Sequence, residues 1–296
     1  MPTISFNHYQ RDAQYLQVGN YQLAYWHWQH ATARDTIVFI HGFPSASWDW
    51  HHQWQVLAKE YNLVAMDMLG FGLSAKPLRH DYSLAEQADL LSQLLSHLAI
   101  KNYHILAHDY GDSVAQELLY RQVEVNQPAI NQGIRSICFL NGGLFAKVHR
   151  PILMQKMMKG PLGPVLAKFM SKASLSKNFT QIFGRQTPPK PADLNAIWQL
   201  ITHNNGKRII PKLLSYLAER RHRCPAWIAV MQKTTVPLYF INGTQDPISG
   251  QHMLDHYRQI IPHPRTSALD VGHYPQLEAP YEVTRLYQQF LLSLKA

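Results

Sequence analysis

The sequence predicts an α/β protein in which a mostly parallel sheet is interrupted by a helical insertion. Three observations carry that expectation. Runs such as "DTIVFIHG" and "NLVAMDMLG" are almost continuously apolar, as strands are when both faces of a parallel sheet are covered. Between such runs lie stretches with apolar residues at helical spacing. After Gly143 the alternation stops, and it resumes only beyond Pro225.

Taken in order, "YQLAYWHW" alternates apolar and polar residues as a half-buried strand does, and the two apolar runs follow it. "SLAEQADLLSQLLSHLAI" places leucines on one helical face behind Ser83, a helix-capping residue. The strand "YHILAHD", the helix "DSVAQELLYRQVEV" and the strand "IRSICFLNGG" come next. The chain then becomes rich in Met, Leu, Lys and Pro without a strand pattern, and stays helical through "DLNAIWQLI" and "IIPKLLSYLAERR". "VPLYFINGTQD", "GQHMLDHYRQI", "TSALDVGHY" and "PYEVTRLYQQFLLSL" restore strand, helix, strand and helix. The expected organisation is a core domain of residues 1–143 and 226–296 carrying a helical cap of residues 144–225.

At 296 residues, 46% hydrophobic and 16% charged, the chain can bury one large core. No run reaches the roughly 18 apolar residues of a membrane span, and the N-terminus lacks the apolar stretch of a secretion signal. A cytoplasmic location is expected. Cys138 and Cys224 show neither CxxC nor Cys/His spacing, so no disulfide framework and no metal site is expected. The net charge of +9 resembles that of a nucleic-acid binder until its distribution is read. Between Gly143 and Pro225, 15 Lys and Arg face two acidic residues, leaving the rest of the chain net negative. With no recognised binding motif beside it, this charge does not make nucleic acid an expected partner.

Four stretches fall where strands should end, the place where open α/β sheets hold their ligands. They are "HGFP" (41–44), "AHDYGD" (107–112), "NGTQDP" (242–247) and "VGHYPQLEAP" (271–280). Alone, each has an ordinary reading: an Asp after a strand caps a turn, and one His among 17 is commonplace. Together, Asp109, Asp246 and His273 stand in the order nucleophile, acid, histidine and point to one active site. An aspartate is already anionic at neutral pH. It can displace a leaving group from a saturated carbon, whereas a serine must first lose a proton and then attacks an acyl carbon.

On "HGFP", "DMLGFGLSAKP", the Asp109 corner, "TQDP" and "GHYPQLEAP", the chain resembles α/β-hydrolase-fold proteins of the epoxide hydrolase and haloalkane dehalogenase group over nearly its whole length. "HDYGDSVAQELLYR", "LNGGLF", "HRPILMQK" and "HYPQLEAP" are similar, more narrowly, to the mesoderm-specific transcript proteins. The resemblance implies an eight-stranded sheet, a cap inserted after the sixth strand, and no cofactor. It also implies roles. Asp109 forms an alkyl ester, His273 oriented by Asp246 activates water against the ester carbonyl, and the NH groups of Phe43 and Tyr110 hold the oxyanion.

The same resemblance orders the substrates. Epoxide hydrolases protonate the departing alkoxide with cap tyrosines, and Tyr216, the one tyrosine between Gly143 and Pro225, matches such a position, although most of that group use two. Dehalogenases bind halide through a Trp after the nucleophile and an Asn or second Trp, where this chain has Tyr110 and Phe43; Trp198 is the candidate replacement. Asn141 stands where some dehalogenases keep the acid, and the arginines of fluoroacetate-type enzymes are absent. An epoxide-like hydrophobic substrate is therefore expected. A lipid or ester hydrolase or acyltransferase using the same site is the alternative, and a dehalogenase or non-catalytic binding protein ranks behind. Basic and apolar residues interleave between Ile152 and Met170. Such a surface suits peripheral contact with an anionic membrane or an acyl chain, its plain alternative being a solvated face over the cap core.

Overall fold

The computed structural model describes residues 5–125 and 133–295. Eight strands form one sheet: β1 (Gln14–Val18), β2 (Tyr21–Trp28), β3 (Thr36–Ile40), β4 (Asn62–Met66), β5 (Asn102–His108), β6 (Gly133–Leu140), β7 (Leu238–Gly243) and β8 (Arg265–Leu269). Their spatial order is β1-β2-β4-β3-β5-β6-β7-β8. β1 pairs antiparallel with β2 and β2 with β4, and every later pairing is parallel. The segments that follow β3, β5, β6, β7 and β8 therefore leave the sheet at the same edge.

The uninterrupted apolar runs are explained by cover on both faces. Along β3, Val38 and Ile40 point into a core that includes Leu91, Val114 and Leu118. Ile37 and Phe39 point the other way, against Leu57, Val283 and Tyr287. This is the two-residue alternation of a strand with apolar partners on each side. The helix Leu84–His97 starts at Ser83, whose hydroxyl accepts the Glu86 NH. Its N-terminus is further held by Glu219, which accepts from the NH groups of Leu84 and Ala85.

Between β6 and β7 the described residues form helices and connecting loops only, from Leu153–Lys159 to Tyr216–Lys233. The last of these helices runs through Pro225, so the point where strand patterning resumes in the sequence lies inside one helix. Its inner face is tied to the helix Tyr110–Tyr120 through the buried Glu117, which accepts from Arg223 Nη2 and Trp227 Nε1, both at 2.8 Å. No helix among the described residues is long and apolar enough to cross a membrane.

Candidate active site

Asp109 follows β5 and caps the helix Tyr110–Tyr120, with φ 48° and ψ −104°. A non-glycine residue with positive φ is held there by its surroundings at a cost in strain. Here the Asp109 NH donates to Leu140 O on the neighbouring strand at 3.1 Å. The corner is also tight. A Cβ at Gly111 would stand 2.3 Å from Ile40 O and 2.7 Å from His41 O, so only glycine lets the helix start this close to β3. The side chain of Asp109 is thereby presented at the sheet edge, almost fully buried.

The loop after β3 supplies a donor to it. The Phe43 NH donates to Asp109 Oδ2 at 3.1 Å. This loop is braced by His41, whose Nδ1 donates to Gly42 O and whose Nε2 accepts the Met68 NH. Burial lowers the His41 pKa, which suits this neutral, one-donor, one-acceptor arrangement. Tyr110 follows Asp109 directly, and its ring packs against Phe71 and Tyr216.

Asp246, in the segment after β7, and His273, in the segment after β8, complete the cluster. His273 Nδ1 donates to Asp246 Oδ2 at 2.7 Å, and His273 Nε2 stands 4.0 Å from Asp109 Oδ1. Asp246 Oδ2 also accepts from Asn141 Nδ2, the Ser249 NH and the Ser249 hydroxyl, and its Oδ1 accepts the Ile248 NH. Burial opposes the charge on Asp246, but His273 and these donors outweigh it and hold its pKa below the usual value. Burial likewise opposes protonation of His273, yet the carboxylates of Asp246 and Asp109 carry its pKa up to about 9. The three side chains that the sequence orders as nucleophile, acid and histidine thus meet in one buried cluster.

Two further residues position the cluster without a role assigned from sequence. Asn141, at φ 39°, accepts the Gly243 NH at 2.6 Å and donates to both Gly243 O and Asp246. Glu278 accepts the NH groups of Gly272 and Tyr274 on either side of His273, and also the Gly184 NH and Thr187 hydroxyl of the insertion. The insertion therefore rests on the histidine loop. The His273 NH donates to Ile182 O, and a Cβ at Gly272 would stand 2.3 Å from that same oxygen.

A cavity of about 80 Å³ opens beside His273, lined by Phe43, Met158, Leu175, Phe179, Leu214 and Ile248 among others. It is mainly apolar, and it is smaller than the several hundred Å³ typical of sites for extended ligands. Tyr216 is fully buried, with its ring against Tyr110 and Phe43 and Arg220 over its face. Its hydroxyl has no hydrogen-bond partner among the described residues. Burial and then the charge of Asp109 push the Tyr216 pKa up, so the phenol stays protonated. Trp198 lies elsewhere in the insertion, half-buried with Lys207 Nζ 5.6 Å from its ring, and it does not line the cavity. Among the described residues no His, Cys, Asp and Glu side chains cluster in a way that could hold a metal ion.

The sheet order, the sharp corner at Asp109 and the inserted helices define a class of proteins. The chain belongs to the alpha/beta hydrolase fold family, whose family model matches residues 35–280. It is 39% identical over 267 residues to the mesoderm-specific transcript protein of Mus musculus, covering 88% of this chain and 79% of that one. Among solved structures it is similar to the epoxide hydrolase CorEH, with TM-score 0.77, 18% identity, and 95% of this chain and 99% of that one covered. It is also similar to the haloalkane dehalogenase DatA from Agrobacterium tumefaciens C58, with TM-score 0.76, 18% identity, and coverage of 95% and 96%. At such identities these two likenesses speak for the fold.

Proposed function

We propose that this chain is a hydrolase that opens an epoxide-like hydrophobic substrate through an alkyl ester on Asp109, with residues 144–225 acting as its cap. One observation carries the reading: the two oxygens of the Asp109 carboxylate have different surroundings. Oδ2 accepts the Phe43 NH, while Oδ1 stands 4.0 Å from His273 Nε2. In the first step Oδ1 attacks a saturated carbon and the carbon-oxygen bond of the epoxide breaks. The departing alkoxide takes a proton from Tyr216, whose phenol is protonated and lies beside the Arg220 side chain.

In the second step His273 draws a proton from water, which adds to the ester carbonyl of Asp109. The carbonyl oxygen is Oδ2, so the negative charge develops where the Phe43 NH already points. The Tyr110 NH, first of the helix, is the second donor. Collapse breaks the bond between the carbonyl carbon and Oδ1, the ester oxygen, which takes the proton from His273 and leaves in the alcohol. The acid proton left on Asp109 returns to the Tyr216 phenolate, restoring the carboxylate and the phenol. Alkylation also prepares the base. The Asp109 charge is one cause of the raised His273 pKa, and an ester has no charge, so the imidazole becomes easier to deprotonate once the intermediate exists.

Attack at an acyl carbon by the same carboxylate gives an anhydride, a more reactive species than the ester consumed, which favours the epoxide reading over the ester hydrolase or acyltransferase. The apolar lining of the cavity keeps an acyl-bearing substrate as the second reading. A dehalogenase is disfavoured by Tyr110 and Phe43 in place of halide-binding side chains, and a mere binding protein by the complete cluster. The test is to incubate the His273→Ala variant with a panel of epoxides, haloalkanes and esters. A lasting epoxide adduct on Asp109, seen by peptide mass spectrometry, supports the reading. Labelling of another residue, or none with the whole panel, sinks it.

A further inference from the structure

We propose that the helices Leu153–Lys159 and Gly163–Phe169 form a docking face for an anionic lipid bilayer, which sets the approach to the His273 cavity against the membrane. Of the 12 large hydrophobic side chains exposed among the described residues, five lie in this short segment. They are Leu153 at 71% exposure, Met157 at 44%, Leu162 at 66%, Val165 at 54% and Phe169 at 77%. Water contact on this scale by neighbouring apolar side chains marks an interaction surface.

Charge selects the partner. Lys156, Lys159, Lys168 and Lys172 are exposed around the apolar side chains. From Leu144 to Ala192 the chain has nine Lys and Arg and not one Asp or Glu. A protein partner of mixed charge gains nothing from so one-sided a field, and a nucleic acid gains little from the five apolar side chains. An anionic bilayer answers both features, taking the apolar residues below its headgroups and the lysines among them.

The position of the face gives it a purpose. Ile152, Met158 and Met170, which belong to the same helices or their caps, line the cavity beside His273. One side of this layer thus faces outward, and the other side closes the site. A lipophilic molecule leaving the bilayer meets the cavity without crossing water, and lipid contact pulling on these helices enlarges a cavity of only about 80 Å³. This entry route rests on the proposed reaction at Asp109, whereas docking itself does not.

The experiment mixes the full chain with phosphatidylcholine vesicles, with and without phosphatidylserine, and sediments them. Binding is expected only with phosphatidylserine, and it should weaken as salt rises. Lys159→Gln/Lys168→Gln should weaken partitioning about 30-fold, and Leu162→Ser/Phe169→Ser about tenfold or more. Absent binding at low salt, equal binding without phosphatidylserine, binding unchanged in both variants, or preference for a random RNA over the vesicles would each overturn the proposal. Trapping on His273→Ala separates the two claims. A long-chain epoxide delivered in vesicles should label Asp109 more slowly when Leu162→Ser/Phe169→Ser is added, and a short water-soluble epoxide should label it at the same rate. Equal rates for both overturn the entry route. If neither epoxide labels Asp109, the proposed reaction fails, while the sedimentation result still decides docking.

Discussion

Asn141 and Glu278 show how much of the site is built by residues that need never touch a substrate. Asn141 joins the end of β6 to Gly243 and Asp246, and Glu278 holds the backbone on both sides of His273. Replacing Asn141 by Ala strips a donor from a buried carboxylate and leaves the Gly243 NH without its acceptor, at a cost of about 1–3 kcal/mol. Thermal or denaturant unfolding should show that loss, and an unchanged stability would contradict the role. His273 makes a second prediction. Its pKa of about 9 lies above the usual imidazole value near 6.5, so the protonated pairing contributes stability fully below about 6.5, and that contribution disappears as pH rises through about 9. Asp109→Asn removes one of the raising charges. Proton NMR should find the His273 pKa lower in that variant, and no change would mean the two side chains are not coupled. The meeting of Asp109, Asp246 and His273 was legible in the sequence because each follows a recognisable strand in a telling order. Asn141 and Glu278 were not legible as positioning residues, since their partners are distant in sequence and only the fold brings them near.

Among the elements, the strands were readable because both faces of the sheet are covered, and apolar runs survive any uncertainty in their ends. β1 carries a weak signal: three of its five residues are exposed, and "QYLQV" turns only Leu16 and Val18, both half-buried, toward the core. Only the Gly19-Asn20 turn, which closes the register at Val18 and Tyr21, hints at a hairpin. The helix that carries Pro225 follows another rule. Proline usually ends a helix, but here Trp227, Val230 and Met231 bury on the core beyond Pro225 and the helix continues to Lys233. Tertiary burial outweighed the local signal. The seam between insertion and core is equally specific. Gly272→Ala places a methyl group 2.3 Å from Ile182 O and 2.4 Å from Gly184 N. Backbone must then move, and a loss of about 1–3 kcal/mol is expected, together with easier proteolysis of the insertion. A variant as stable and as protease-resistant as the parent would refute the close seam.

Across the molecule, buried and half-buried histidines oppose folding as pH falls. His108 and His149 have pKa values driven down to about 3, and His51 and His52 to about 4, in each case first by burial. In the unfolded chain these imidazoles bind protons near pH 6.5. Between that value and their folded pKa values the unfolded state holds more protons, so stability falls as pH falls through this window. The melting temperature should therefore drop steadily from pH 7 toward pH 4, and a flat profile would show that these groups are not buried as neutral imidazoles. The central claim, that the oxygen delivered to the substrate comes from Asp109, is tested most directly by a single turnover with excess enzyme in heavy-oxygen water. The substrate is an epoxide that labels His273→Ala. The account predicts heavy oxygen in the Asp109 carboxylate and ordinary oxygen in the first product. Heavy oxygen in the product, with none in Asp109, would contradict it.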